Sequence, residues 1–342
     1  MKPKIGIVIP CYKASGLINS VIERIIFTSN KLKDIANIKI YLINDCCPDN
    51  SWNEVNQKSD LNIIHHSKNL GVGFASKSGF FAALKDNCDA VIKLDADGQH
   101  PPEYLAEIIP FIISRNNNEM FLLKGTRYCY RNRFTKVPIM RRIGSLFMEP
   151  IARLGLNCRG LTDIANGFIA TNSMTLNFIL LVDTDTKVFS RYLFESSLLE
   201  KSCVMDCKIY QFPMAANYGK DWRSSMKSRK MIIPILSFWI KVIFRRLFKQ
   251  YLFSLNLGSL LLAIFSLANF YVIFIFLNNI SPSISSGIFV SAGIAASFTS
   301  MITIGLICLL LFFFYDYTSG KRIKIINFKY YIDDINHQKL ID

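Results

Sequence analysis

Between Gln250 and Tyr315 the chain contains no Asp, Glu, Lys or Arg. An unbroken uncharged stretch of that length excludes an ordinary solvated surface and calls for a non-aqueous neighbour. No Cys-x-x-Cys pair occurs, and the nine cysteines are odd in number, with Cys46 and Cys47 adjacent. Cys203 and Cys207 are four apart with no second ligand pair. A zinc ribbon and a disulfide framework are both excluded, and reduced thiols suit a cytosolic domain. The N-terminal run Ile5 to Pro10 is too short for a secretory leader, so none is expected. No internal repeat is present. Acids are also scarce, 25 against 40 Lys and Arg, for a formal net charge of +15.

The uncharged window resolves into two long apolar runs. Ser254 to Leu277 is 24 residues, about 36 Å as a helix. Gly287 to Tyr315 is 29 residues, enough to span with tilt. Asn278 to Ser283 reads as a polar turn joining two transmembrane helices. Lys241, Arg245, Arg246 and Lys249 precede the first run, and Lys321, Arg322, Lys324 and Lys329 follow the second. Positive charge flanking both ends puts both flanks, and residues 1–230 with them, on the cytoplasmic side. The basic excess is therefore attributed to a membrane surface and not to nucleic acid.

Upstream, apolar strand-like runs alternate with helical patterns. Strands are read at Ile5–Ile9, Ile38–Ile43, Leu61–His65, Ala90–Leu94 and Met120–Lys124. Helices are read at Leu17–Leu32, Gly73–Leu84 and Pro102–Ser114, the last opening on proline. This order predicts an α/β fold with a mostly parallel central sheet. Beyond Arg127 helices are read at Met140–Leu154, Met174–Leu181 and Arg191–Lys201, then a strand over Val204–Phe212. Residues 229–253 pattern as an amphipathic interfacial helix, with Lys241, Arg245 and Lys249 on one face and Leu236, Ile240, Ile243 and Leu247 opposite. Asn116–Asn118 reads as a loop.

The segment Ile92-Lys93-Leu94-Asp95-Ala96-Asp97-Gly98-Gln99-His100-Pro101-Pro102-Glu103 carries the chemistry. Alternate side chains of an extended chain point the same way, so Asp95 and Asp97 share a face at a strand's carboxyl end. Open α/β sheets bind ligands at that edge. Two hard oxygen donors with room for water and phosphate suit Mg²⁺ or Mn²⁺. Other strand ends supply Pro10-Cys11-Tyr12-Lys13, Asn44-Asp45, Lys68-Asn69-Leu70-Gly71 and Gly125-Thr126-Arg127. Carboxylates, a lysine, an arginine and glycine turns on one rim fit a nucleotide, a metal and a diphosphate. Gly71-Val72-Gly73 follows the third strand and not the first, which argues against a dinucleotide fingerprint. His65 and His66 read as surface residues at a strand end, Asp45 as a turn cap or a ligand, and Glu195 as a solvated helix charge or an acceptor-side base.

In this order, these motifs resemble glycosyltransferase family 2, and within it the polyprenyl-phosphate sugar synthases that carry a C-terminal transmembrane pair. The resemblance covers residues 4–253 by motif. It implies a GT-A nucleotide-sugar-binding fold, with Pro10, Tyr12 and Asp45 contacting the nucleoside beside Lys68, Asn69 and Gly71. It implies Asp95, Asp97 and Gln99 around Mg²⁺ or Mn²⁺, directly or through water. Arg127 would meet a donor or acceptor phosphate, with Arg141 or Arg142 assisting on the acceptor side. Asp163-Ile164-Ala165-Asn166-Gly167-Phe168 resembles the family's acceptor-side segment, and Tyr218–Lys227 a loop after the last sheet strand.

Two departures stand out: Asn44-Asp45-Cys46-Cys47 replaces the usual Asp-Asp-Gly-Ser, and Ile169 stands where the family often has Arg. The expected organisation is a cytoplasmic catalytic domain (1–228), a juxtamembrane helix (229–253), a two-helix membrane hairpin (254–315) and a basic cytoplasmic tail (316–342). The expected activity is inverting transfer from a nucleoside diphosphate sugar to polyprenyl phosphate at the bilayer, compatible with a homo-oligomer. A hydroxyl acceptor on a lipid-linked saccharide would instead need a general base, Asp163 or Glu195. A non-catalytic nucleotide-binding scaffold is the remaining reading. Two spans are too few to enclose a polymer channel.

Overall fold

The computed structural model describes residues 1–55, 61–115, 119–128, 137–182, 193–215, 228–322, 324 and 325. Asn116–Asn118, Arg191, Tyr218–Lys227 and most of the basic tail lie outside the described residues. The chain divides into two compact units, one of residues 1–152, 160–236 and 323–342, the other of 153–159 and 237–322.

The first unit is built on one sheet. Its strands are β1 (Lys4–Cys11), β2 (Asn37–Asn44), β3 (Leu61–His65), β4 (Ala90–Lys93), β5 (Phe121–Thr126), β7 (Ile169–Asn172), β8 (Lys208–Pro213) and β10 (Lys324–Ile325). They lie in the order β10-β8-β5-β7-β4-β1-β2-β3. Every pairing is parallel except those of β7, which runs antiparallel to both β4 and β5. Helices α1 (Ile18–Leu32), α2 (Val72–Lys85), α3 (Leu105–Arg115), α4 (Ile139–Leu156), α5 (Ser173–Val182) and α6 (Phe194–Val204) intervene. The central strands are buried along nearly their whole length, as a sheet covered on both faces requires. On α1, Ile18, Val21, Ile22 and Ile25 turn one apolar stripe into the core. This is the α/β, mostly parallel architecture expected. Register sets Cys11 against Asn44 and Val8 against Lys93, so the ends of β1, β2 and β4 form one rim.

Three elements differ from the sequence reading. Strand β7 was not anticipated; its four residues are all buried, too short a run to show alternation. Strand β8 begins at Lys208 and not at Val204, because α6 runs to Val204 and Asp206 turns the chain at φ +58°. Two residues of the tail form β10, which extends the sheet beside Tyr210 and Gln211 of β8.

In the second unit, α7 (Ser228–Leu247) enters from the first unit and continues as a wide helical turn over Phe248–Leu252. Helix α8 (Leu257–Ile275) runs through another wide turn into α9 (Ser281–Ser285). The whole segment Leu257–Ser285 is 29 residues and contains an 18-residue stretch of mean hydropathy 2.5; α10 (Ala292–Ser319) is 28 residues and contains one of 2.3. Both are long and apolar enough to cross a membrane, and most of each is exposed, unlike a soluble core helix. The expected turn at Asn278–Ser283 is helical instead. Asn278 Nδ2 donates to Phe274 O (2.9 Å) and Ser283 Oγ to Asn279 O (2.7 Å), so these polar side chains bond to their own helix. Pro282 lies just past the wide turn, at the start of α9. The buried side of α7 is Phe238, Trp239 and Val242, while Ile240, on the apolar face expected at the membrane interface, is exposed, as are Phe244 and, just beyond the helix, Phe248. Asp316 is buried and held by Arg246 Nη1 (2.5 Å) and Nη2 (2.9 Å) and by Tyr251 Oη (2.5 Å). A short two-stranded ladder pairs β6 (Cys158–Arg159) with β9 (Lys321–Arg322).

Candidate active site at the carboxyl rim of the sheet

One end of the rim is organised by Asp45. This carboxylate is buried and accepts from Leu70 N (2.9 Å), Gly71 N (2.7 Å) and His66 Nδ1 (2.8 Å). It fixes the turn that leads into α2, where Gly71 adopts φ +92°, a conformation that favours glycine. Lys68 and Asn69 are exposed on that turn. His66, read as a surface residue, is a largely buried strut between Asp45 and Ser78 Oγ (2.9 Å). His65 is exposed, as expected, and pairs with Asn44 Nδ2 (2.9 Å). Pro10 is buried at the end of β1 and Tyr12 is exposed beyond it. Where the family motif is altered, Cys47 N donates to Asn44 Oδ1 (2.9 Å) and Cys47 Sγ to Cys11 O (3.1 Å).

Asp95 and Asp97 leave β4 together. Burial resists a charge on Asp95, but the Lys93 ammonium beside it holds its pKa down to about 2. Burial, followed by the neighbouring charge of Asp95, pushes Asp97 up to about 6. Gln99 brackets Asp97: its N–H donates to Asp97 Oδ1 (3.1 Å) and its Nε2 to Asp97 Oδ2. Its amide oxygen accepts from Arg141 Nη1 (3.3 Å). His100 is buried, and its Nδ1 accepts from Asp95 N (3.4 Å). Desolvation pushes its pKa down to about 4, so the ring is neutral near pH 7.

Beneath this pair lies a lysine that sequence reasoning passed over. Lys93 is fully buried, and its Nζ donates to Asp95 Oδ1 (2.7 Å), Glu195 Oε1 (3.0 Å) and Gly167 O (3.0 Å). Burial opposes its charge, yet Asp95 and Glu195 raise its pKa above the usual lysine value. Glu195 is therefore neither solvated nor a free base. Lys124 is equally buried, donating to Asn166 O (2.6 Å), and desolvation lowers its pKa to about 8. The available signal was a lysine inside each apolar strand, since a charge in a covered strand needs partners.

Arg127 and Asp163 find each other. Asp163 accepts from Arg127 N (2.8 Å), Nε (2.7 Å) and Nη2 (2.5 Å), and from Asn166 Nδ2 (3.0 Å). Burial resists its charge, but the Arg127 guanidinium outweighs that and lowers its pKa. Arg141 reaches the Asp95–Asp97 segment through Gln99, whereas Arg142 Nε donates to Val137 O (3.1 Å). Ile169, in the position where the family often has Arg, is buried in β7, in register with both Lys93 and Lys124.

The donor set fits a divalent cation. Among the described residues no group of three or more His, Cys, Asp or Glu side chains gathers to hold a metal. Two carboxylates plus water and substrate phosphate oxygens is how Mg²⁺ is usually held. A cation beside Asp95 and Asp97 would also relieve the repulsion that raises Asp97.

Residues 6–167 match the sequence profile described as glycosyl transferase family 2. The chain carries a glycosyl transferase family 2 domain. It is related to the dolichol-phosphate mannosyltransferase of Pyrococcus furiosus, 27% identical over 194 residues, covering 56% of this chain and 52% of that protein. The undecaprenyl-phosphate mannosyltransferase of Micrococcus luteus is 27% identical over 202 residues, covering 56% and 78%. The UDP-N-acetylglucosamine–dolichyl-phosphate N-acetylglucosaminyltransferase of Methanococcus voltae is 28% identical over 191 residues, covering 51% and 72%. The match thus spans about half the length of the first relative. The family 2 domain contains Asp45, Asp95, Asp97, Gln99, Arg127 and Asp163, and the two apolar helices lie beyond it.

Proposed function

We propose that the chain is a membrane-anchored, inverting glycosyltransferase that moves a sugar from a nucleoside diphosphate sugar to polyprenyl phosphate at the cytoplasmic face. The observation that carries this reading is a family 2 domain with a rim carboxylate pair, in one chain with two span-length apolar helices. The relatives' named acceptors are polyprenyl or dolichyl phosphates, and their named sugars differ, so the sugar stays open. Pro10, Tyr12 and the Asp45-pinned turn are assigned to the nucleoside. Asp95 and Asp97, with Gln99 through water, would hold Mg²⁺ or Mn²⁺, which when bound neutralises charge on the leaving diphosphate.

A phosphate monoester is already ionised near pH 7, its second pKa being about 6. It needs orientation by Arg127 and Arg141 more than deprotonation. Both carboxylates that a hydroxyl acceptor would require as base are engaged, Asp163 by Arg127 and Glu195 by Lys93. That engagement favours the phosphate acceptor. Asp163 is assigned the positioning of Arg127. Direct attack of the phosphate oxygen on the anomeric carbon breaks the bond to the diphosphate and inverts that centre.

Membrane placement is supported from two sides. Helix α4 exposes Ile139, Ile143, Leu146 and Phe147 in a stripe suited to a lipid interface. After α10 the chain returns to pair β10 with β8 in the first unit's sheet. Two spans therefore leave residues 1–236 and the tail strand on one side, and the basic flanks favour the cytoplasm.

The test is incubation of the detergent-extracted protein with labelled nucleotide sugars, Mn²⁺ and polyprenyl phosphate. Organic-phase label released by mild acid supports the reading. Label appearing only on a lipid-linked saccharide refutes it. Protection of residues 1–230 from protease in right-side-out vesicles supports the orientation, and their cleavage overturns it.

A further inference from the structure

Lys93 has no part in the mechanism above, yet it is one of the most deeply buried charges in the first unit. Its three N–H groups meet three acceptors from three segments: Asp95 at the rim, Glu195 on α6, and the carbonyl of Gly167 beside β7. An ammonium has three donors, so none is left over. Stability alone does not account for such a cluster, because a well-packed apolar replacement of a buried ion pair is often as stable. The surrounding space is shaped to the same end. A Cβ at Gly167 would lie 2.1 Å from Asp95 Oδ2, so that backbone closes directly on the carboxylate.

We propose that Lys93 is a positioning residue that locks the Asp95 carboxylate in one orientation for a divalent cation and ties it to the Gly167 segment. The proposal rests on the reading of Asp95 and Asp97 as metal ligands. Glu195 balances the buried ammonium, so that Asp95 keeps its own charge available at the rim.

The test uses the full chain in detergent with Mn²⁺ alone, following free Mn²⁺ by its electron paramagnetic resonance signal and folding by circular dichroism melting. The variant K93M/E195Q removes the lysine and its balancing charge together. It is expected to stay folded and to bind Mn²⁺ at least about tenfold more weakly, the usual effect of losing a partner that orients a metal ligand. D95N alone is expected to weaken binding, and combining all three changes is expected to add nothing further. K93Q/E195Q, which removes the same two charges but leaves polar groups of similar length in the cavity, is expected to reproduce the loss and keeps the test open should K93M/E195Q not fold. Wild-type affinity in either folded variant, or losses that multiply with D95N, overturns the proposal while leaving the metal reading intact. Absence of Mn²⁺ binding by the wild-type chain overturns both.

Discussion

Gly167→Ala perturbs the proposed site by a single methyl group. The φ of Gly167 lies outside the left-handed region, so the backbone accepts alanine and the whole effect is steric. The new Cβ would sit 2.1 Å from Asp95 Oδ2, 2.9 Å from Cγ and 3.1 Å from Oδ1, where ordinary contact starts at 3.4 Å. The carboxylate, on a partly exposed side chain, has to retreat by more than about 1 Å. That retreat breaks its 2.7 Å contact with Lys93 and its alignment with Asp97. Misplacement on this scale costs about 100-fold in rate. The assay is the initial rate of sugar transfer to polyprenyl phosphate, with the melting temperature measured in parallel. Gly144→Ala is the control: it lies exposed on α4, and its added methyl would have nothing within 4 Å. It should keep full activity and gain about 0.5–1 kcal/mol from helix propensity. A folded Gly167→Ala protein with more than a third of wild-type activity would refute the reasoning.

Arg127→Met strands the buried Asp163 carboxylate and should destabilise the chain by about 3–5 kcal/mol in thermal denaturation; adding Asp163→Asn should recover most of that stability but not transfer. Asp45→Asn gives up a charged acceptor for Leu70 N and Gly71 N. The donor KM should rise about tenfold with kcat within about threefold, and an unchanged KM would remove this turn from the nucleoside site. Glu119 has the opposite character, a purely structural ion cluster. Burial opposes its charge, but Lys208, Tyr210 and Arg115 lower its pKa from 4.5 to about 2. Its folded pKa lies below the unfolded one, so its contribution, at most about 3 kcal/mol, is present above pH 4.5 and fades as pH falls toward 2. Glu119→Gln should flatten that acid limb of a pH–stability curve, and an unaltered limb would show the cluster contributes nothing.

Much of this was readable from residue order. Alternating apolar strands and helices, with Asp95 and Asp97 closing one strand, are written in local pattern, and so is the uncharged window. What was hidden depends on pairing across the sheet. Strand β7 has only four residues, and nothing local reveals that it enters antiparallel between β4 and β5. That insertion brings Gly167 beside Asp95 and gives Lys93 its third acceptor. Asp163 and Arg127 were each legible as polar residues near an active rim, but their mutual bond is a contact 36 residues apart. Glu195 looked solvated because helix α6 carries no clear apolar stripe. The turn misread at Asn278–Ser283 shows the converse: polar residues that bond back to their own helix do not end it.

The most direct measurement of the central claim is the phosphorus-31 spectrum of polyprenyl phosphate after incubation with the full chain, Mn²⁺ and the active nucleotide sugar. The account predicts that the monoester resonance gives way to a phosphodiester coupled to one anomeric proton, and that Asp97→Asn abolishes the change. An unaltered monoester, alongside sugar transferred to a hydroxyl of another lipid, would contradict it.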